Sequence, residues 1–371
     1  MNFKIPMLRI DDIRAKVPIV QGGMGVGISM SGLASAVANE GGIGVISSVG
    51  IGGLKSHNWK ELRKFNLENL QREIRMARRQ TRGIIGVNIM AAVTDFAQLL
   101  VLAMEERVDA VFIGAGLFLS LPKEISLKYL TTHHTKIIPI VSSPRAARLI
   151  FSTWDRRFGH VPDGVVVEGP KAGGHLGFKR EQIEDPRYQL ESLVPQVIEE
   201  ISPYRSRYRK DIPVIAAGGV YTGRDIYRLF KLGVQGIQMG TRFVATRECD
   251  ASAEFKEAYL RAKKTDIGII DSPVGLPGRA IIGDFLRNVG NGEEKPCGCQ
   301  WKCLRTCDVK KVSYCIAKAL VNAQKGLLQR GFAFAGANVY KIKKIVTVHE
   351  LVKELMDEFI RACRSHSVNF G

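Results

Sequence analysis

The sequence lacks any long uninterrupted apolar stretch. No run of about 18 apolar residues occurs in the 371-residue chain, so no membrane-spanning helix is expected. Residues 1–16 (MNFKIPMLRIDDIRAK) contain no apolar core of the length that a secretory signal peptide requires. Without an export signal, the seven cysteines are expected to be reduced or metal-bound, and not paired as structural disulfides. These absences predict a cytoplasmic protein.

Acidic residues are scarce relative to basic ones. The chain has 36 Asp and Glu against 54 Lys and Arg, which gives a formal net charge of +18. The basic residues concentrate at Arg72–Arg82, Tyr204–Lys210 and Lys341–Lys344. None of these stretches carries the signature of a nucleic-acid-binding module, so no nucleic-acid partner is expected. Solvated helix faces are the simplest explanation, and a docking surface for an acidic partner or an anionic substrate is the alternative.

Two nucleotide-binding fingerprints are also missing. The glycine run at residues 21–27 reads GxGxG and not GxGxxG, and the next strand ends in Ile46-Ser47-Ser48 without the acidic residue that a ribose needs. No GxxxxGK[ST] sequence occurs. These absences exclude a Rossmann dinucleotide fingerprint and a P-loop.

Alternating apolar and helical segments predict an α/β fold. Eight short apolar strands, each followed by a helical pattern, are spread over about 245 residues, as in a (β/α)8 TIM barrel. A doubly wound sheet is the alternative, although it usually has fewer repeats in this length. The predicted strands are 17–20, 43–46, 84–90, 110–113, 136–141, 164–167, 213–216 and 236–239. We expect the barrel at residues 1–264, a charged exposed helical insertion at 55–82, and a Cys-rich C-terminal lid with helices at 265–371.

A histidine follows the sixth predicted strand. Val165, Val166 and Val167 form a buried strand, and a turn containing Gly173 and Gly174 leads directly to His175. Adjacent glycines let backbone N–H groups approach a planar or anionic ligand closely. Because the usual pKa of histidine lies near neutrality, His175 is a candidate for proton transfer beside that ligand. A histidine that merely caps the end of a strand is the alternative.

Barrel geometry brings the ends of the predicted strands together. Polar residues and glycines from distant parts of the chain should meet at one mouth, namely Gln21, Asn88, Glu168, His175, Gly218 and Gly240. The loops after the seventh and eighth strands, AAGGV and QMGTRF, are glycine-rich, and Thr241 adds a hydroxyl. Loops at these two positions commonly hold a phosphate, so a phosphate site is predicted there.

Four motifs in this order resemble a known family. Gln21-Gly-Gly-Met24-Gly, Asn88 in GVNIM, Glu168-GPKAGGH and AAGGV with QMGTRF resemble the flavin-dependent nitronate monooxygenases. They are equally similar to the related flavin-dependent enoyl-acyl-carrier-protein reductases. The resemblance covers residues 15–285 and resumes from Phe334 to Leu351. It implies a (β/α)8 barrel that holds FMN non-covalently at the carboxyl ends of its strands.

The resemblance implies roles for individual residues. His175 corresponds to the histidine beside the flavin, and Asn88 and Glu168 to groups that hydrogen-bond the ring or the ribityl chain. The remaining implied flavin and phosphate contacts are Gly23, Met24, Gly25, Gly173, Gly174, Gly218, Gly219, Gln238, Met239, Gly240 and Thr241. Two positions depart from the monooxygenase pattern. Gly23 stands where those enzymes usually carry proline, and Glu168 where they usually carry glutamine, which favours the reductases.

The resemblance also implies the reaction. The chain is expected to oxidise alkyl nitronates with dioxygen, with His175 as general base. The alternative is an enoyl reductase in which NAD(P)H reduces FMN and an acidic acyl carrier protein brings the substrate. A non-catalytic flavin-binding or regulatory protein is the competing class, and His175 argues against it. No membrane partner is expected, and a homodimer is left open.

Five of the seven cysteines lie within residues 297–315. Cys297, Cys299, Cys303 and Cys307 are predicted to hold an iron–sulfur cluster or zinc in a lid over the barrel mouth. Cys315, on a helix predicted over 309–325, is a substitute ligand. The spacing matches no standard metal-binding pattern, so buried or redox-scavenging thiols are the alternative.

Overall fold

The computed structural model describes residues 5–53, 58–292, 299, 301–305, 307–368 and 370. Within them, eight parallel strands close into a barrel in the order β10-β11-β3-β4-β5-β6-β7-β8, which confirms the predicted (β/α)8 fold. The strands are β1 (Leu8–Ile10), β2 (Ile13–Ala15), β3 (Ile19–Gln21), β4 (Ile43–Ser47), β5 (Ile84–Met90), β6 (Ala110–Gly114), β7 (Lys136–Val141), β8 (Val165–Glu168), β9 (Gly174–His175), β10 (Val214–Ala217), β11 (Gly236–Met239), β12 (Ile267–Asp271) and β13 (Pro277–Ile281).

Helices follow the barrel strands and cover their outer faces. They are α1 (Ser31–Asn39), α2 (Trp59–Gln80), α3 (Phe96–Glu105), α4 (Leu127–Thr132), α5 (Pro144–Phe158), α6 (Leu190–Tyr208), α7 (Gly223–Phe230), α8 (Thr241–Val244), α9 (Ala253–Arg261), α10 (Asp284–Gly290), α11 (Ile316–Gln324) and α12 (Val348–Ser365). Several begin at a side-chain cap: the Ser143 hydroxyl accepts from the Ala146 N–H, and Thr222 does the same for Asp225. Such caps satisfy backbone N–H groups that have no partner within the helix. None of the helices described is both long enough and apolar enough to span a bilayer.

A hairpin closes one end of the barrel. The inward side chains of the strands, such as Phe112 and Val166, form a buried core together with Leu8 and Ile10 from the β1–β2 hairpin. Lys136, at the start of β7, binds Asp11 and Asp12 between the two hairpin strands. The hairpin therefore covers the amino ends of the strands, which leaves the carboxyl ends as the place for a site.

The prediction for residues 55–82 is correct for the secondary structure and wrong for the position. The described part of this stretch forms α2, which lies between β4 and β5 and is the second helix of the barrel rather than an exposed insertion. Leu62, Leu70, Ile74 and Ala77 are buried at spacings of three, four or eight residues along one face. The many charges on the solvent face obscure this narrow apolar stripe in the sequence.

The C-terminal segment forms a cover that is tied to the barrel. β12, β13 and β9 make an antiparallel three-stranded sheet, so β13 holds the turn after β8 in place. Phe285, Tyr314 and Phe332 pack in a small second core with residues of α10 and α11. The Cys303 carbonyl accepts from the Thr94 N–H in the loop after β5. This cover, which we call the lid, lies over the barrel mouth as predicted.

Candidate active site

A cavity of about 380 Å³ lies at the carboxyl ends of the barrel strands, beneath the lid. Its floor is made by inward-facing residues near the carboxyl end of each barrel strand, or by the residue that follows the strand. These floor residues are Gly22, Ser47, Asn88, Gly114, Ile140, Glu168, Ala217 and Gln238. Each floor residue comes two positions after another inward-facing residue. Since side chains alternate across a strand, residues two positions apart face the same side. The cavity is therefore a direct product of the barrel.

Polar groups on this floor lack protein partners. Within the described part of the chain, the buried Ser47 hydroxyl has no hydrogen-bond partner. The Glu168 carboxyl likewise makes no hydrogen bond or ion pair with any described residue. Asn88 differs, because its Nδ2 donates to the Phe112 carbonyl at 3.2 Å. Since buried polar groups are nearly always paired, the floor indicates a ligand that supplies the missing partners.

All the residues predicted to contact the flavin line this one cavity. The structure brings together Gly23, Met24, Gly25, Asn88, Glu168, Gly173, Gly174, His175, Gly218, Gly219, Gln238, Met239, Gly240 and Thr241. Gln21 is different: it is fully buried, and its Oε1 accepts from the Val45 N–H at 3.1 Å. Gln21 thus joins β3 to β4 and does not line the cavity. Ser47, Asp95, Tyr259 and Phe334 also line it and are missing from the prediction.

The loops after β10 and β11 are fixed by the C-terminal segment. Gly218 has φ +99, a left-handed backbone conformation that favours glycine. The turn that contains Gly218 lines the cavity. The Asn338 Nδ2 donates to the Gly219 carbonyl at 2.6 Å, and the Gly336 N–H donates to the Thr241 hydroxyl at 2.9 Å. The Thr241 hydroxyl keeps its own hydrogen for donation to a ligand. This geometry fits a small anion such as a phosphate at this end.

His175 lies on β9 and not in a turn. Its Nε2 is 2.7 Å from the Ser272 Oγ, and its ring makes a T-shaped contact with the Phe334 ring at a centroid distance of 5.0 Å. Burial in these surroundings lowers the pKa of His175 to about 4. The imidazole is uncharged at neutral pH, so it can accept a proton.

The pKa of Glu168 is shifted in the opposite direction. Burial alone raises the pKa of its carboxyl to about 7, with no charged neighbour contributing. The usual order of a carboxyl and an imidazole is thus reversed in this cavity. Oppositely shifted titratable groups in one cleft are typical of sites that transfer protons.

The lid contributes an apolar wall and one thiol. Leu304, Ile316, Leu320 and Val321 line the cavity beside Cys303. Burial raises the pKa of the Cys303 thiol to about 12, and the neighbouring thiols Cys315, Cys299 and Cys307 add to the shift. Cys303 therefore carries its proton at neutral pH.

The predicted metal centre has no preformed ligand set among the described residues. No group of three or more His, Cys, Asp or Glu side chains there is arranged to hold an ion. Cys297, one of the four predicted ligands, lies outside the described residues. Cys315 caps the start of α11 and precedes a helix shorter than the one predicted over 309–325. The metal centre stays a prediction.

Comparisons with known proteins agree with this architecture. The family model for nitronate monooxygenase matches residues 7–358. A probable nitronate monooxygenase from Staphylococcus saprophyticus is 27% identical over 309 residues, covering 76% of this chain and 80% of that protein. The solved structure of FabK from Thermotoga maritima is 28% identical with a TM-score of 0.73, covering 95% of this chain and 96% of that one. The nitroalkane oxidase from Streptomyces ansochromogenes shares the fold, at 23% identity and a TM-score of 0.71, over 94% of this chain and 97% of that one.

Proposed function

The chain belongs to the nitronate monooxygenase family, whose members are flavin-dependent oxidoreductases, and we propose that it oxidises alkyl nitronates with dioxygen by means of bound FMN. One observation carries this proposal. The imidazole of His175, uncharged at neutral pH, faces the same cavity as the glycine loops and the unpaired polar floor. A proton acceptor that faces such a cavity is what removal of a proton from the α-carbon of a nitroalkane requires.

The residues present fit FMN. The loops at Gly218 and Thr241 suit a single phosphate, while Ser47 and Glu168 on the floor offer hydrogen-bond partners to the rest of the cofactor. Met24 and its neighbouring glycines line the wall where the isoalloxazine would pass. When bound, FMN supplies the electron acceptor and the centre at which dioxygen reacts. The protein binds the cofactor, orients the substrate and excludes water.

His175 would act on the α-carbon of the substrate. Its Nε2 contact with Ser272 holds the ring in one orientation, and Phe334 packs against the ring in a T-shaped contact. The same burial that keeps the imidazole uncharged penalises the imidazolium formed after proton transfer. An anionic nitronate next to the imidazolium would offset part of that penalty. A preformed nitronate needs no proton transfer to His175 and avoids the penalty, so this environment favours a nitronate over a neutral nitroalkane as the substrate.

The enoyl-acyl-carrier-protein reductase reaction is the second candidate. The similarity to FabK over 95% of the chain favours it, as does Glu168 in place of the glutamine usual in monooxygenases. In that reaction NAD(P)H would be the reductant, and the net charge of +18 would suit an acidic carrier protein. Cytoplasmic location and a homodimer stay predictions under both candidates.

The chromophore and the oxygen consumption test the first candidate. Acid treatment of the purified yellow protein should release FMN, because the cavity offers one phosphate end. Addition of an alkyl nitronate should then cause flavin-dependent uptake of dioxygen, recorded with an oxygen electrode. A matched nitronate assay on protein stripped of flavin serves as the control. Release of FAD, or no oxygen uptake with any alkyl nitronate, would contradict the proposal.

We also propose that the cysteines of the lid hold a metal centre, iron–sulfur in preference to zinc because a nearby flavin could exchange electrons with a cluster. Iron, zinc and acid-labile sulfide should be measured on anaerobically purified protein. A variant with Cys303 and Cys307 changed to serine should lose the metal and become more sensitive to proteolysis in the lid. Cys249→Ser, which changes a buried cysteine outside the cluster, is the control. Less than about a tenth of an equivalent of metal in the wild-type protein would end the proposal.

A further inference from the structure

Glu168 ends β8 with its side chain on the floor of the cavity. In the sheet it pairs with Ala217 of β10, an apolar neighbour, and Ile140 of β7 also lines the cavity floor. Among the described residues nothing donates a hydrogen bond to the carboxyl. Ionising an unpaired carboxyl at this depth costs free energy. Any change of charge on a neighbouring group should therefore change the protonation of Glu168.

Within the described part of the chain, the other ionisable side chains that line the cavity leave Glu168 without a counter-charge. These side chains are Asp95, Lys171, His175, Tyr259 and Cys303. Asp95 accepts from the Asn66 amide, and the Tyr259 hydroxyl donates to the Phe334 carbonyl. Burial keeps His175 uncharged at neutral pH, and Cys303 lies on the lid side of the cavity. Lys171 is exposed to solvent at the edge of the cavity. Burial therefore sets the protonation of Glu168, and no charge on a described residue of the cavity competes with it.

We propose that Glu168 takes up a proton when the flavin in this cavity is reduced, and that this carboxyl makes the redox potential of the cofactor fall more steeply with pH. The inference rests on the proposed flavin site and concerns only the residue at the end of β8. Glu168 is a tuning residue here, because it acts on the charge beside the cofactor and not on the substrate.

The balance of charge gives the physical reason. Two electrons from a reductant such as a nicotinamide nucleotide bring negative charge into a cavity of low dielectric, and one proton reaches the flavin itself. A carboxylate next to that added charge is disfavoured, so it binds a second proton from solvent. Reduction then consumes two electrons and two protons. Reoxidation removes the electrons and releases the Glu168 proton again.

Glutamine at the same position removes this response without changing the size of the side chain. An amide cannot ionise, so a Glu168→Gln variant would take up only the proton that belongs to the flavin. The two proteins should differ above about pH 7, where Glu168 is ionised in the oxidised wild-type protein. They should converge below that pH, because the carboxyl then carries its proton in both redox states.

The test is a spectroelectrochemical titration of the flavin-bound protein at several values between about pH 6 and pH 9. Wild-type protein should take up one more proton per electron pair than Glu168→Gln above about pH 7, seen as a steeper fall of the midpoint potential with pH. Proton uptake on reduction in weak buffer, followed with an indicator dye, should show the same difference. Asp95→Asn, which changes another cavity-lining acid, should behave like the wild-type protein.

Equal pH slopes for wild-type and Glu168→Gln protein would overturn the inference, even with FMN fully bound. The inference would also be overturned by the wild-type protein alone, if its midpoint potential fell with the slope of one proton per electron pair at every pH of the titration. Failure of the wild-type protein to bind flavin would instead contradict the proposed function.

Discussion

Replacing His175 by alanine should lower turnover on a neutral nitroalkane by roughly 10²–10⁴-fold while the flavin stays bound. The neutral substrate must lose a proton from its α-carbon, and His175 is the uncharged base that faces the cavity. The preformed nitronate has already lost that proton, so its turnover should fall much less. Steady-state kinetics on both forms of one substrate, with flavin absorbance as a check on cofactor content, measure this difference.

The pH dependence adds a second readout for His175. A general base works in its deprotonated form, so the rate on the neutral nitroalkane falls as pH drops through the pKa of the base. Because burial lowers that pKa to about 4, the acid limb in wild-type protein should lie near pH 4 and not near 6.5. Ser272→Ala, which removes the hydroxyl bonded to Nε2, should shift this limb with a smaller loss of rate. Equal losses on both substrates in His175→Ala would show that His175 only binds or supports the fold.

Replacing Gly173 by alanine should abolish flavin retention, whereas the same change at Gly174 should preserve most of it. A Cβ on Gly173 would lie 2.5 Å from the carbonyl carbon of Ala335 and 2.6 Å from the nitrogen of Gly336, which are backbone atoms that cannot rotate away. Gly336 also donates to the Thr241 hydroxyl, so a shift there reaches the predicted phosphate end. Overpacking of this kind costs about 1–3 kcal/mol.

Gly174 provides a matched control one residue away. It has φ +86, so alanine is strained there by roughly 1–2 kcal/mol, but a Cβ would meet no atom within 4 Å. Both variants therefore lose stability, and only Gly173→Ala displaces the C-terminal segment. Flavin content per chain after gel filtration separates the two effects. Equal flavin content in the two variants would contradict the account of this turn.

The barrel was predictable because its signals are local. β8 is a run of valines that ends at a polar residue and a glycine, and its predicted start and end are within one residue of the observed ones. α2 shows the limit of that approach. Its narrow apolar stripe is outnumbered by charges, so the sequence predicts the helix but not its buried face.

The site was predictable only where it follows from the barrel. Asn88, Glu168 and Gln238 meet because strand ends always meet at one mouth of a barrel. The partner of His175 could not be predicted, since Ser272 is 97 residues away and reaches it through the pairing of β13 with β9. The reversed protonation of His175 and Glu168 depends on burial beneath the lid, which no local pattern encodes.

Anaerobic reduction of the flavin-bound protein tests the proposed function most directly. An alkyl nitronate, mixed with the yellow protein in the absence of dioxygen, should bleach the flavin absorbance within the time of a turnover. NADH or NADPH at the same concentration should bleach it far more slowly. Rapid bleaching by NADH or NADPH with none by the nitronate would contradict the account and identify the enoyl reductase reaction instead.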